Sequence, residues 1–388
     1  MDKISFFKTQ FYKKNQLIHI NNAGLSPISL PAYNEINKWS QRFFEEGYFT
    51  DKDYANQVTF SREQVAELIG CSSDQIAFFQ SASWAITQFI NSIDLKPQDE
   101  VLLWDQEYSS HLLPWKIACE KKYAQLVQLT SSQDLKTPSE HIFNHINSKT
   151  KVFAFSLAQY QSGAMIHEVG LVIKKLKERG ILIFIDACQS LGVLPDHYWP
   201  SQIDGLVGTS HKWLTSPVGV GFLALGPELI LKAKPLSYGS GTYGSCDDTV
   251  NDMCYPKKSA QRFEPGAKQV LEICALGKSI ELILATGVSN LYTESLRLSR
   301  LLKEGLSQFK GSTLLNSNHE SFDHPIINWT PPPQGPCTAQ ALQNELLKNG
   351  ISTAFRAGGI RFSPHAFNTD QEIHYTLDKL SELIYKKP

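Results

Sequence analysis

Between Ile76 and Leu225 the chain alternates short apolar runs with longer amphipathic segments, and this alternation restricts the possible folds most. Ile76–Phe79, Val101–Trp104, Leu126–Leu129, Val152–Leu157, Ile181–Asp186, Leu206–Gly208 and Val220–Leu225 read as strands. They are rich in branched and aromatic residues and lack polar alternation, as suits strands covered on both faces. Trp84–Ile93, Leu112–Lys122 and residues 168–179 read as helices. In the last of these, Val169, Val172, Ile173 and Leu176 share one face and Gly180 ends it. Apolar strands joined by helical crossovers predict an α/β fold with a mostly parallel sheet flanked by helices. Ligands in such folds bind at the carboxyl ends of the strands.

The pattern changes after residue 226. Residues 235–266 are rich in Gly, Ser, Pro and Asp and show no periodicity, which suits a functional loop. Helices are expected at 30–48, 61–69, 267–286 and 288–309. Strand and helix then alternate over 325–330, 338–349, 352–356, 360–363 and 369–386. We therefore expect a large domain over 1–275, including the N-terminal segment, and a smaller C-terminal α+β domain over 276–388.

With 388 residues, 42% of them hydrophobic, the chain can build a sizeable core. A formal net charge of −1 and the lack of like-charge blocks argue against nucleic acid or an anionic membrane as partner. Apolar runs such as Ile181–Ile185 are far too short to span a bilayer, and MDKISFFKTQFYKKNQ has no apolar core of a signal peptide. Seven cysteines, at 71, 119, 188, 246, 254, 274 and 337, are scattered and odd in number, as expected for reduced thiols in the cytoplasm. Asn328-Trp329-Thr330 matches a glycosylation acceptor, but without secretion it reads as a strand end.

Several polar groups stand where strands end. Asp186 closes one apolar strand and Gln189 follows it; Thr209-Ser210-His211-Lys212 follows the next. A lysine at the end of a buried strand either snorkels to water or is an amine that gives up its charge to form a Schiff base. Asp186 is either a turn former or a partner for a cationic ring. Ser81-Ala82-Ser83, between a strand and a helix, is an ordinary cap or an anion cradle. Taken together they supply an imine-forming lysine, a carboxylate for a ring nitrogen and a cradle of Ser83, Thr209 or Ser210, and His211 for a phosphate. Pyridoxal 5′-phosphate requires these groups.

The chain resembles fold-type I pyridoxal-phosphate enzymes of the aminotransferase class V group, from Asn21-Asn22-Ala23-Gly24 to Asn368-Thr369. That group holds cysteine desulfurases, kynureninase, isopenicillin-epimerase-like enzymes and carbon–sulfur lyases. The motif that carries the resemblance is Asp186-x-x-Gln189 followed by Ser210-His211-Lys212. The resemblance implies a mostly parallel sheet of the seven-stranded type, a homodimer and a small amino acid as substrate. It implies that Lys212 forms the imine and shuttles the proton at the substrate α-carbon, that Asp186 holds the ring nitrogen protonated, and that Gln189 touches the ring hydroxyl. Cys188 would pack beneath the ring rather than act as a nucleophile. Thr209 and His211 would bind phosphate with Ala82 and Ser83, and Tyr108 would stack on the ring, where desulfurases carry a histidine. Gln159 stands where kynureninase-like members place an asparagine near the ring. Arg361 would clamp the substrate carboxylate, with Asn22 beside it.

Four other features are resolved differently. Gly239-Ser240-Gly241-Thr242-Tyr243-Gly244 fits a dinucleotide fingerprint, but Pro235-Leu236-Ser237-Tyr238 before it is no buried strand and Ser245-Cys246-Asp247-Asp248 after it opens no helix. By resemblance it is a loop that reaches a neighbouring subunit's cofactor. His141 and His145 have a metal-like spacing without a carboxylate between them, and no metal is assigned. Ala267 replaces a threonine that relatives use across the dimer interface. Desulfurases also carry a catalytic cysteine just before the carboxylate-binding arginine; here Arg356-Ala357-Gly358-Gly359-Ile360-Arg361 is short and has none, and Cys337 lies before the helix 338–349. The expectation is therefore a β-eliminating lyase, with carbon–sulfur cleavage one form of it. A transaminase or an epimerase is the alternative, and a non-catalytic cofactor-binding protein the alternative of another class.

Overall fold

A computed structural model of the chain describes residues 2–11, 17–47, 51–132, 135, 137–166, 168–195, 203–244, 255–315, 324–333 and 338–385. Cys246, Cys254, Cys337 and the segment expected to follow the glycine loop lie outside the described residues.

All seven apolar runs form strands of one sheet: β1 (Ile76–Phe79), β2 (Glu100–Trp104), β3 (Gln125–Leu129), β4 (Thr150–Ser156), β5 (Leu182–Asp186), β6 (Gly205–Thr209) and β7 (Gly221–Leu225). Their spatial order is β1-β7-β6-β5-β4-β2-β3. The ladders joining β3, β2, β4, β5 and β6 are parallel, whereas β7 runs antiparallel to both neighbours. A uniformly apolar run carries no sign of its direction, so only the structure identifies β7 as the reversed strand.

Alternate strand residues feed two cores, as the period of two requires. Ile183, Ile185, Phe153, Phe155 and Phe222 join one cluster; Phe184, Ala154, Val207 and Leu223 join the other. Helices Ala82–Ser92 and Ser109–Lys122 cover the second face through Phe89, Ile90 and Trp115. Helices Asp51–Ile69, Val169–Glu178 and Val270–Thr286 cover the first. The helix read over 61–69 is therefore longer than its sequence pattern showed. Its outer residues are polar, and packing against Val270–Thr286 stabilises it.

A second sheet, in the order β10-β11-β9-β8, is antiparallel and formed by β8 (Thr313–Leu314), β9 (Ile327–Thr330), β10 (Ala354–Arg356) and β11 (Gly359–Phe362). Its core holds Trp329, Ile360, Phe362, Leu298, Leu302 and Leu380, and Ile18 and Ile20 from the N-terminal segment. That segment pairs in parallel with Ile351–Ser352, so the two chain ends meet. The division expected at 275/276 falls within helix Val270–Thr286, whose Ile273, Ile280 and Ile283 belong to the first core. We place the junction instead along helix Val288–Ser307, which carries Leu291 in the first core and Leu298 in the third.

Two short motifs are explained locally. In Gly239-Ser240-Gly241, a Cβ on either glycine would stand 2.3 Å from Pro265 O or 2.2 Å from Glu264 O, so these glycines permit close backbone packing and form a tight turn. Asn328 is buried in β9 and donates to the carbonyls of Gln161 and Arg356. No described helix is long and apolar enough to cross a membrane.

Candidate active site

Asp186 ends β5 in register with Val207 of β6, so the ends of these adjacent parallel strands share one rim. Beyond Thr209 the chain turns through His211 and Lys212. A cleft of about 290 Å³ opens above the rim, and Asp186, Cys188, Gln189, Thr209, His211 and Lys212 line it.

The N-terminus of helix Ala82–Ser92 closes one end of the cleft. Ser81 caps this helix, accepting from the Trp84 N–H at 3.2 Å, and Ser81, Ala82 and Ser83 all face the cleft. The helix begins two residues earlier than its apolar pattern showed, which places Ser83 inside the first turn. Gly221 makes the close approach possible: a Cβ there would lie 2.2 Å from the Ser81 carbonyl carbon. His211 Nδ1 lies 3.1 Å from Thr209 Oγ1. Burial, and then the Lys212 charge, push the His211 pKa down to about 4, so the ring is neutral near pH 7. A helix N-terminus with hydroxyls and an imidazole suits a phosphate.

Lys212 stands in the middle. Its Nζ lies 5.9 Å from the centroid of the Tyr108 ring, and no described carboxylate forms an ion pair with it. Tyr108 precedes helix Ser109–Lys122, is 44% exposed and lines the cleft. Trp213, the next residue after Lys212, is fully buried. Its ring lies between His324 and His365, and its indole N–H donates to Gln189 Oε1 at 2.9 Å. Gln189 in turn donates to the Ala23 carbonyl at 2.9 Å, tying the N-terminal segment to the rim.

Asp186 is the one carboxylate among the described lining residues, and the Cys188 N–H holds its Oδ1 at 2.8 Å. Burial and the Asp186 charge raise the Cys188 thiol well above its ordinary pKa, which removes it as a nucleophile near neutral pH.

Arg361, on β11, reaches the opposite end of the cleft. It is 2% exposed, donates to the Tyr160 carbonyl at 2.7 Å and Asn21 Oδ1 at 3.3 Å, and leaves its Nε–H without a partner. No described carboxylate pairs with it. Burial, and then the neighbouring Arg356, push its pKa down to about 10. A buried cation without an anion is costly, and a substrate carboxylate would relieve that cost. Gly24 leaves space beside it; a Cβ there would lie 3.2 Å from Arg361 Nη2.

Two expected residues do not line the cleft. Asn22 is buried and bonds the Ser363 carbonyl and Ser26 Oγ; its neighbour Asn21 touches Arg361 instead. Gln159 lies behind the wall, where it donates to Glu107 at 3.3 Å, and Tyr160 lines the cleft instead. All four lie outside regular strands, so no strand register in the sequence chooses between neighbours. Tyr160 and Arg356 also line the cleft, and the sequence assigned neither a site role. Tyr160 meets the Tyr108 ring edge-on, with centroids 5.0 Å apart. His141 and His145 only touch one another, with ring centroids 4.6 Å apart.

Lys212, Asp186, the N-terminus of helix Ala82–Ser92 and Arg361 meet at one cleft, and comparison with known proteins gives the family. The family model Aminotransferase class-V matches residues 32–374. A Pyrococcus abyssi protein named "Probable cysteine desulfurase" is 24% identical over 390 residues, covering 95% of this chain and 94% of that protein. Isopenicillin N epimerase of Amycolatopsis lactamdurans is 22% identical, covering 94% of each. Among solved structures, the apo cysteine desulfurase of Thermococcus onnurineus NA1 superposes with a TM-score of 0.87 at 19% identity, covering 98% of each chain. The cystine C-S lyase C-DES, in complex with cysteine persulfide, does so with a TM-score of 0.86 at 18% identity, covering 95% of this chain and 98% of the other. The chain belongs to the aminotransferase class-V family and is a pyridoxal-phosphate-dependent enzyme.

Proposed function

We propose that this enzyme removes the α-proton of a small amino acid and expels its β-substituent, with a carbon–sulfur bond as the favoured bond to break. The hairpin between β10 and β11 carries this reading. Arg356 pairs with Gly359, so Ala357 and Gly358 alone form the turn, both with positive φ (48° and 77°). This two-residue turn holds no cysteine, and among the described residues Cys188, whose thiol is held well above its ordinary pKa, is the cysteine that lines the cleft. Sulfur lost from a substrate therefore leaves with the product instead of passing to a loop thiol.

Bound pyridoxal phosphate supplies an electron sink for the α-carbon. The chain's own residues do the rest. Ala82, Ser83, Thr209 and His211 would hold the phosphate, Asp186 would hold the ring nitrogen and Tyr108 would stack on the ring. Arg361 grips the substrate carboxylate and so fixes which α-bond faces Lys212. Lys212 Nζ would take the proton from that carbon.

The proposal extends to a cytoplasmic homodimer. Exposed Trp84, Leu113, Ile117 and Leu236 support a partner surface, and the scattered cysteines support a reducing compartment.

The test is a panel of cysteine, cystine, S-alkyl cysteines and alanine, assayed for pyruvate, thiol or sulfide, amino-group transfer and stereoinversion. Pyruvate released together with a sulfur product supports the lyase. Alanine formed from cysteine contradicts the argument from the hairpin. A transferred amino group or a D-amino acid as sole product replaces the reading with the transaminase or the epimerase.

A further inference from the structure

The hairpin that carries Arg361 also carries a second cation, to which the functions assigned above give no role. Ala354 is the register partner of Arg361, and Arg356 stands two residues further along β10. Directly paired residues of an antiparallel ladder share a face, and so do strand residues two apart. Arg356 and Arg361 are therefore diagonal neighbours on one face of the hairpin. Both line the cleft. They differ in depth: Arg361 is 2% exposed, whereas Arg356 is exposed and stands at the mouth.

The backbone of Arg356 is fixed although it borders a two-residue turn. Asn328, buried in β9 opposite Arg361, donates from Nδ2 to the Arg356 carbonyl at 3.0 Å and to the Gln161 carbonyl at 3.2 Å. This ties the hairpin end to the segment that presents Tyr160. Gly359, opposite Arg356, makes room for the tie: a Cβ there would stand 2.2 Å from Asn328 Oδ1. The Arg356 guanidinium itself donates from Nη1 to the neighbouring Phe355 carbonyl at 2.7 Å, and no described carboxylate pairs with it. Most of its N–H fork is left unused.

Asp186 is the one carboxylate among the described lining residues. The cofactor reading matches it to the ring nitrogen and matches Arg361 to the substrate's α-carboxylate. Arg356 is then a cation of the cleft for which the described residues supply no anion. It also acts on its neighbour: its charge adds to burial in pushing the Arg361 pKa down to about 10. One carboxylate answers one of these cations, and the pair together attracts a second.

We propose that Arg356 is a specificity-determining residue: it receives a second carboxylate at the far end of the substrate's side chain while Arg361 holds the α-carboxylate, so the preferred substrate is a dicarboxylic amino acid. This rests on the pyridoxal-phosphate reading. In the β-eliminating form of that reading, the expelled substituent carries the second carboxylate.

Two matched pairs of amino acids test this with the holoenzyme. Glutamate and glutamine differ by one charge at the end of the side chain and lack a leaving group. Their Kd, read from the change in the bound cofactor's absorbance, is independent of elimination. S-Carboxymethylcysteine and S-carbamoylmethylcysteine differ in the same way and report kcat/KM for pyruvate release. A guanidinium–carboxylate pair at an exposed site predicts that wild type favours the carboxylate by about fivefold or more. Arg356→Gln brings the ratio close to one, and Arg356→Glu inverts it. Ratios taken within one variant cancel any loss of stability. A preference in either pair that Arg356→Gln abolishes supports the proposal. A wild-type ratio near one in both pairs overturns it, as does no measurable binding of either carboxylate. A preference that survives in Arg356→Gln also overturns it, because the second carboxylate then has another partner. Carboxylate preference in Kd without pyruvate from the cysteine pair overturns the lyase reading and keeps the role of Arg356. Pyruvate without carboxylate preference does the reverse.

Discussion

Lys212 Nζ stands 5.9 Å from the centroid of the Tyr108 ring, with the Asp186 carboxylate and the Ala82–Ser92 helix terminus on the same cleft wall. A half-exposed aromatic ring lining the cleft suits stacking on the proposed cofactor. Tyr108→Phe should bind pyridoxal phosphate as well as wild type. Tyr108→Ala should bind it about three- to tenfold more weakly, the size of an aromatic stacking term. Equal affinities in a fluorescence titration would remove Tyr108 from the cofactor site.

Arg361 separates a clamp from a structural role. Its guanidinium is buried without an anion, so Arg361→Met should raise KM about a hundredfold while leaving the thermal midpoint within a few degrees of wild type. A structural arginine would behave in the opposite way, with the midpoint falling and KM holding.

Stability should depend on pH through His324 and His365. Burial pushes both down to about 4 from an ordinary 6.5. The unfolded chain binds these two protons as pH falls through 6.5, whereas the folded chain does not until about 4. Stability is therefore full above 6.5 and declines between 6.5 and 4, at about 1.4 kcal/mol per pH unit for each histidine. Urea unfolding across this range measures the slope. His365→Phe, which keeps the stacks with Phe7 and Phe367, should reduce it by one histidine's share.

The thiols should be dispensable. Burial pushes Cys71 and Cys119 up to about 11 and Cys274 up to about 12. Replacing Cys246, Cys254 and Cys337 together by serine should leave kcat/KM for β-elimination unchanged. Loss of activity, or a persulfide found on one of them by mass spectrometry, would restore a desulfurase-type mechanism.

Much of this site was legible in the sequence because its parts sit where patterns break. Asp186 ends an apolar strand and Lys212 follows the next, so strand periodicity alone brings them together. The seven strands were legible for the same reason. What stayed hidden depends on strand direction and loop path. The reversal of β7 leaves no mark on an apolar run. That Tyr160 and not Gln159 lines the cleft depends on the path of an irregular segment after β4, which no periodicity marks.

The most direct test of the central claim is borohydride reduction of the purified protein, followed by peptide mapping. The account predicts a visible absorbance band that disappears on reduction and a pyridoxyl group on Lys212. No band after addition of pyridoxal phosphate, or a label on another lysine, would contradict it and every role assigned to Asp186, His211 and Arg361.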